Sequence, residues 1–80
     1  MTISVLFFGM SSDLAGSSSA TLEIKEDSTV SSFKSQLKHA FPNMKNLQEF
    51  AVAVNETYSN DEDMIHEGDE IAILPPVSGG

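Results

Sequence analysis

The residues best placed to do chemistry are the last ones. The chain ends Leu74-Pro75-Pro76-Val77-Ser78-Gly79-Gly80. A terminal Gly-Gly carries no side chains, so it can enter a channel that a larger residue would block. It also reaches backbone angles closed to other residues. Pro75 and Pro76 fix φ, lack amide donors and push Leu74 towards an extended conformation. The ending therefore reads as a stiff spacer, a short flexible leash and a carboxylate. Fully extended, the leash from Val77 to Gly80 reaches roughly 13 Å. Domains also commonly end in a plain glycine tail, so the preceding chain decides whether this one is chemical.

Few other residues compete with it. With no cysteine, disulfides, thiolate metal sites and cysteine nucleophiles are excluded. His66 has no second histidine or cysteine close in sequence. His39 sits near the end of an expected helix, where a cation suits the dipole. Both read as surface residues. Asp61, Glu62 and Asp63 lack the ligand spacing of a calcium loop and read as solvated charge. Gly16 and Ser17-Ser18-Ser19 suggest a flexible turn, since a phosphate cradle needs a helix N-terminus and a nearby positive charge. No metal site and no cofactor bound by this chain are expected.

Composition narrows the function classes further. Eighty residues make one domain with a small core and little room for an enclosed active site. Twelve acidic residues face four basic ones, a formal net charge of -8. That balance argues against nucleic acid and anionic membrane, which require cationic neutralisation. It favours a partner with a basic surface. Met1 to Met10 is apolar but lacks a basic leader and a cleavage site. No apolar run approaches the roughly 20 residues of a membrane span. A cytoplasmic protein is expected.

The elements that must carry the tail follow from periodicity. Ile3 to Phe8 is β-branched and aromatic, with Ile3, Val5 and Phe7 on one face and Leu6 and Phe8 on the other. Apolar residues on both faces imply a central strand or an exposed apolar patch. The connection over residues 9–19 is polar, with a short helical turn over Met10 to Ala15. Ala20 to Lys25 alternates, Leu22 and Ile24 inward, and Glu26-Asp27-Ser28 turns the chain. Thr29 to Phe41 has helical spacing: Val30, Phe33, Leu37, Ala40 and Phe41 share a face. Ser28 or Thr29 can cap it, and Pro42 ends it. Phe50 to Val54 is a strand ending at Asn55-Glu56-Thr57. A short strand and a last one, Ile71 to Leu74, complete the chain. One amphipathic helix on a small sheet is a two-layer α+β domain.

This order, together with the ending, resembles the ubiquitin-like β-grasp sulfur carriers. The stretch from Glu67-Gly68-Asp69-Glu70-Ile71-Ala72-Ile73-Leu74 through Pro75-Pro76-Val77-Ser78-Gly79-Gly80 is similar to the molybdopterin synthase small-subunit (MoaD) family. Its members tend to read Gly-Asp-Glu-(Val/Ile)-Ala, two apolar residues, then Pro-Pro-Val-(Ser/Thr)-Gly-Gly. Val5-Leu6-Phe7-Phe8 and Val54-Asn55-Glu56-Thr57 fit as well. Members often carry an arginine and a glutamate after the first strand. Here that segment is Met10-Ser11-Ser12-Asp13-Leu14, so no partner contact of that arginine is carried over.

The resemblance implies a small mixed sheet of 4–5 strands on one main helix, with a domain over residues 1–76 and a flexible tail over 77–80. It implies that an E1-like adenylating partner (MoeB-like) uses ATP to activate the Gly80 carboxylate, which becomes a thiocarboxylate. The tail then enters a large subunit (MoaE-like), in a heterotetramer, and donates sulfur to a pyranopterin precursor of the molybdenum cofactor. On this view the chain is a carrier and the catalytic groups belong to its partners. Gly80 is the reacting position. Gly79 supplies slimness, while Ser78, Val77, Pro76 and Pro75 aim the tail. Phe7, Tyr58 and Leu74 are the candidates for an apolar docking patch beside it. Carriers for thiazole synthesis or tRNA thiolation, a ubiquitin-like protein tag, and a β-grasp interaction module without chemistry are the alternatives. Pro-Pro-Val-Ser before Gly-Gly favours the first assignment.

Overall fold

The computed structural model describes residues 1–44 and 49–75. Five strands form one mixed sheet in the order β2-β1-β5-β3-β4. β1 (Thr2–Phe7) and β2 (Ser19–Glu23) are antiparallel neighbours, joined through the short helix α1 (Met10–Ala15). β5 (Glu70–Leu74) enters between β1 and β3 (Ala51–Val54), parallel to the first and antiparallel to the second. β4 (Thr57–Tyr58) closes the far edge against β3. The main helix α2 (Val30–Ala40) contributes Val30, Phe33 and Leu37 to the same buried cluster as Ile3, Val5, Phe7, Val52, Ile71 and Ile73 from the strands. This is the ubiquitin-like β-grasp expected from the sequence, with five strands.

The local reasons are legible in the residues. The Thr29 side chain accepts from the Ser32 amide at 3.2 Å, capping α2. Lys38 and His39 occupy its last turn, where positive charge is favoured. Ala40, expected on the buried face, is exposed; the chain rejoins the core through half-buried Phe41 and fully buried Met44 instead. β3 and β4 form a two-residue hairpin. Asn55 and Glu56 both have positive φ, 50° and 71°, as a type I′ turn requires, and that turn matches the twist of the strands.

The acidic segment over residues 61–63 has a structural role beyond solvation. The carbonyls of Asp63 and Asp61 accept from the Val30 and Ser31 amides at 2.9 and 3.0 Å. Two of the unpaired amides at the start of α2 are thereby satisfied. Lys34 Nζ pairs with Asp61 Oδ1 at 3.1 Å, and the Ile65 amide donates to the Ser28 carbonyl at 2.9 Å. The segment thus fastens the helix to the chain that leads into β5.

Candidate functional site: the end of the central strand and the sheet face beside it

β5 delivers the chain terminus from the middle of the sheet. Ile71 and Ile73 are fully buried towards α2, so Ala72 and Leu74 take the opposite face. Paired residues share a face. Ala72 pairs with Leu6 and with Ala53, and Ala53 pairs with Tyr58. Leu74 pairs with Ala51. The outer face therefore presents Leu6, Ala72 and Tyr58, with Leu74 and Ala51 beside them, while Ala53 shares that face but is buried. Phe8 continues the alternation of β1 and is exposed at 46%.

The sequence-predicted docking residues separate on this map. Tyr58 is 70% exposed on the edge strand, and Leu74 is half-buried on the outer face. Phe7 is not a surface residue. It is 3% exposed and packs edge-on against Phe41, ring centroids 5.3 Å apart. The period-two alternation that points Val5 inward points Phe7 inward too. Leu6 and Phe8 are the aromatic-segment residues that reach the outer face. Pro75 is described and exposed. Pro76, Val77, Ser78, Gly79 and Gly80 lie outside the described residues.

Ser11 is a residue that sequence reasoning passed over. It is fully buried, and its hydroxyl donates to the Phe8 carbonyl at 2.7 Å, with the Ile73 carbonyl at 3.3 Å. Its position in a serine-rich polar loop concealed it. No periodic signal marks a single buried hydroxyl.

Among the described residues, no group of three or more histidine, cysteine, aspartate or glutamate side chains is arranged to hold a metal ion. No buried side-chain nitrogen or oxygen there lacks a hydrogen-bond partner. His66 Nδ1 lies 3.8 Å from Asp69 Oδ2 at an exposed turn, and His39 is exposed on α2. No described helix is long and apolar enough to cross a membrane. The described part of the chain is thus a mount: a strand end, an apolar face beside it, and the turn that braces both.

Comparison with known proteins agrees in extent and fold. A model described as the ThiS family matches residues 5–80. The molybdopterin synthase sulfur carrier subunit of Dictyostelium discoideum is 38% identical over 80 residues, covering 95% of this chain and 93% of that protein. The protein of the same name from Chlamydomonas reinhardtii is 34% identical over 83 residues, covering 100% of both. Among solved structures, SAMP1 from Haloferax volcanii superposes with a TM-score of 0.87 at 25% identity, covering 100% of both chains. A complex of subunits 1 and 2 of the molybdopterin-converting factor from Helicobacter pylori 26695 contains a chain that matches with a TM-score of 0.70 at 26% identity, again covering 100% of both.

Proposed function

The chain belongs to the ThiS family, and from its full-length relatives we propose that it is the sulfur carrier subunit of a molybdopterin synthase. The family match runs to residue 80, through the Gly-Gly terminus. The observation that carries the proposal is that relatives named as sulfur carrier subunits of that synthase are matched over nearly their whole length.

The chemistry follows from the weakness of a carboxylate as an electrophile. An E1-like adenylating partner joins the Gly80 carboxylate to AMP from ATP, releasing pyrophosphate. A sulfur donor of the persulfide class attacks the acyl carbon and expels AMP. Reduction of the resulting acyl disulfide by a thiol leaves a Gly80 thiocarboxylate. Its soft anionic sulfur is a strong nucleophile at neutral pH, as thiolates are. A large synthase subunit accepts the tail and directs that sulfur to the pyranopterin precursor, and water restores the carboxylate. Gly79 keeps the tail slim and Pro75 and Pro76 stiffen its base. An extended tail offers main-chain groups that a partner channel can clamp.

A carrier that is charged by one enzyme and discharged in another needs an interface it can leave. The outer sheet face suits this, with Leu6, Phe8, Leu74 and Tyr58 beside the strand that leads to the tail. It is apolar at its centre and belongs to a strongly acidic molecule, a combination suited to a partner with a basic rim around an apolar pocket. Deleting Gly80, or appending one residue after it, is expected to abolish sulfur transfer while thermal unfolding is unchanged. Molybdopterin formation at the normal rate by either variant would refute the assignment.

A further inference from the structure

The turn between β1 and α1 touches the last described residue of the tail base at an unusually close point. Gly9 has φ 59° and ψ -135°, a combination that side chains with a Cβ rarely adopt. A Cβ added there would lie 2.6 Å from Pro75 Cγ, with Pro75 Cδ and Cβ at 3.6 and 3.7 Å. The proline ring therefore lies against the bare α-carbon of Gly9. The ring cannot swing away as an ordinary side chain does, because it is closed onto its own backbone nitrogen and fixes φ. Displacing it displaces the chain.

The same turn grips the residues just before Pro75. The Phe8 amide donates to the Ile73 carbonyl at 3.1 Å. The Ser11 hydroxyl, wholly buried, lies 3.3 Å from that carbonyl and donates to the Phe8 carbonyl at 2.7 Å. The Ser11 amide donates to the Phe8 carbonyl too, at 3.2 Å. The turn is thus tied to β5 at Ile73 and abuts it at Pro75.

We propose that Gly9 and Ser11 are positioning residues for the tail: the turn over residues 8–11 sets where Pro75 sits and hence where residues 76–80 begin. The proposal rests on the carrier reading for its functional consequence. Its structural content is the seat that Gly9 provides for the Pro75 ring.

A cycle of Gly9→Ala, Pro75→Ala and the double variant tests it. Pro75→Ala removes Cγ and Cδ and leaves only Cβ, at the ordinary contact distance of 3.7 Å. It cannot relieve the backbone strain of alanine at φ 59°. Thermal unfolding should therefore fall in Gly9→Ala and stay lowered in the double variant. Carrier-dependent ATP–pyrophosphate exchange by the adenylating enzyme reads tail placement instead. Gly9→Ala should lose about tenfold in kcat/KM, as sub-ångström to ångström misplacement of a reacting group does. The double variant should return to the level of Pro75→Ala alone. An unchanged Gly9→Ala, or a double variant as impaired as Gly9→Ala, overturns the proposal.

If the unaltered chain supports no exchange, the carrier reading fails instead, and the seat is read by NMR. A nuclear Overhauser contact between the Gly9 α-protons and the Pro75 γ-protons is expected. So is a shift of the Val77 amide in Gly9→Ala that reverts in the double variant. Absence of either overturns the proposal independently of activity.

Discussion

Glu56 holds a side chain at φ 71°, a conformation that costs most non-glycine residues about 1 kcal/mol or more. Its neighbour Asn55, at φ 50°, tolerates the same region better because its short amide bonds locally. Here the Asn55 side chain is also held from the start of β5, donating to Asp69 Oδ1 and accepting from the Glu70 amide, each at 3.0 Å. Glu56→Gly is therefore expected to stabilise the fold by about 0.5 kcal/mol, the strain relieved less the added freedom of the unfolded chain. Urea unfolding checks this, and a lowered midpoint would contradict the turn geometry. The strand end at Asn55 was legible in the sequence. The tight hairpin was less so, because Asn-Glu lacks the glycine that marks most type I′ turns. Ser11 was illegible for a different reason: its bonds are to backbone carbonyls, which leave no trace in residue type.

At the scale of elements, alternation and helical spacing carried most of the fold. Val30, Phe33 and Leu37 lie on the buried face of α2, and Leu22 and Ile24 turn inward from β2 and its extension. The limit of this signal shows in β1. A strand apolar on both faces reveals its period but not which face meets the helix, and so Phe7 was expected at the docking surface. Packing settles it, since Phe7 meets Phe41 in the core. Two adjacent substitutions should therefore behave oppositely. Phe7→Ala should cost about 3–5 kcal/mol of stability. Phe8→Ala should barely move the unfolding midpoint yet weaken association with the large subunit by about tenfold or more. Calorimetry of unfolding and of binding distinguishes them, and the reverse pattern would invalidate the outer-face assignment. The fastening of α2 by the carbonyls of Asp61 and Asp63 lay beyond sequence reading, because any residue type offers a carbonyl.

The whole molecule carries a net charge of -8. At that charge, encounter with a basic partner is accelerated by long-range attraction and slowed by salt once the screening length falls to about 8–10 Å. The association rate constant with a large subunit, or with the proposed adenylating enzyme, should fall steeply as ionic strength rises to about 0.15 M, while dissociation changes little. Stopped-flow association across a salt series measures this, and a flat dependence would remove charge from the recognition. The described residues form a small packed body, and the chemistry proposed for the ending is that of backbone atoms. The ending stood out in the sequence because Pro75-Pro76-Val77-Ser78-Gly79-Gly80 has a composition that neither strand nor core requires, whereas Ile71 and Ile73 just before it are ordinary core residues.

Gly80 is the group proposed to be charged with sulfur. Intact-protein and peptide mass spectrometry, after incubation with the cognate adenylating enzyme, ATP and a sulfur source, tests it directly. The prediction is a mass gain equal to the replacement of one oxygen by one sulfur, confined to the C-terminal peptide and lost when Gly80 is deleted. An unaltered C-terminal peptide under conditions in which the enzyme charges a known carrier, or a gain located elsewhere in the chain, would contradict it.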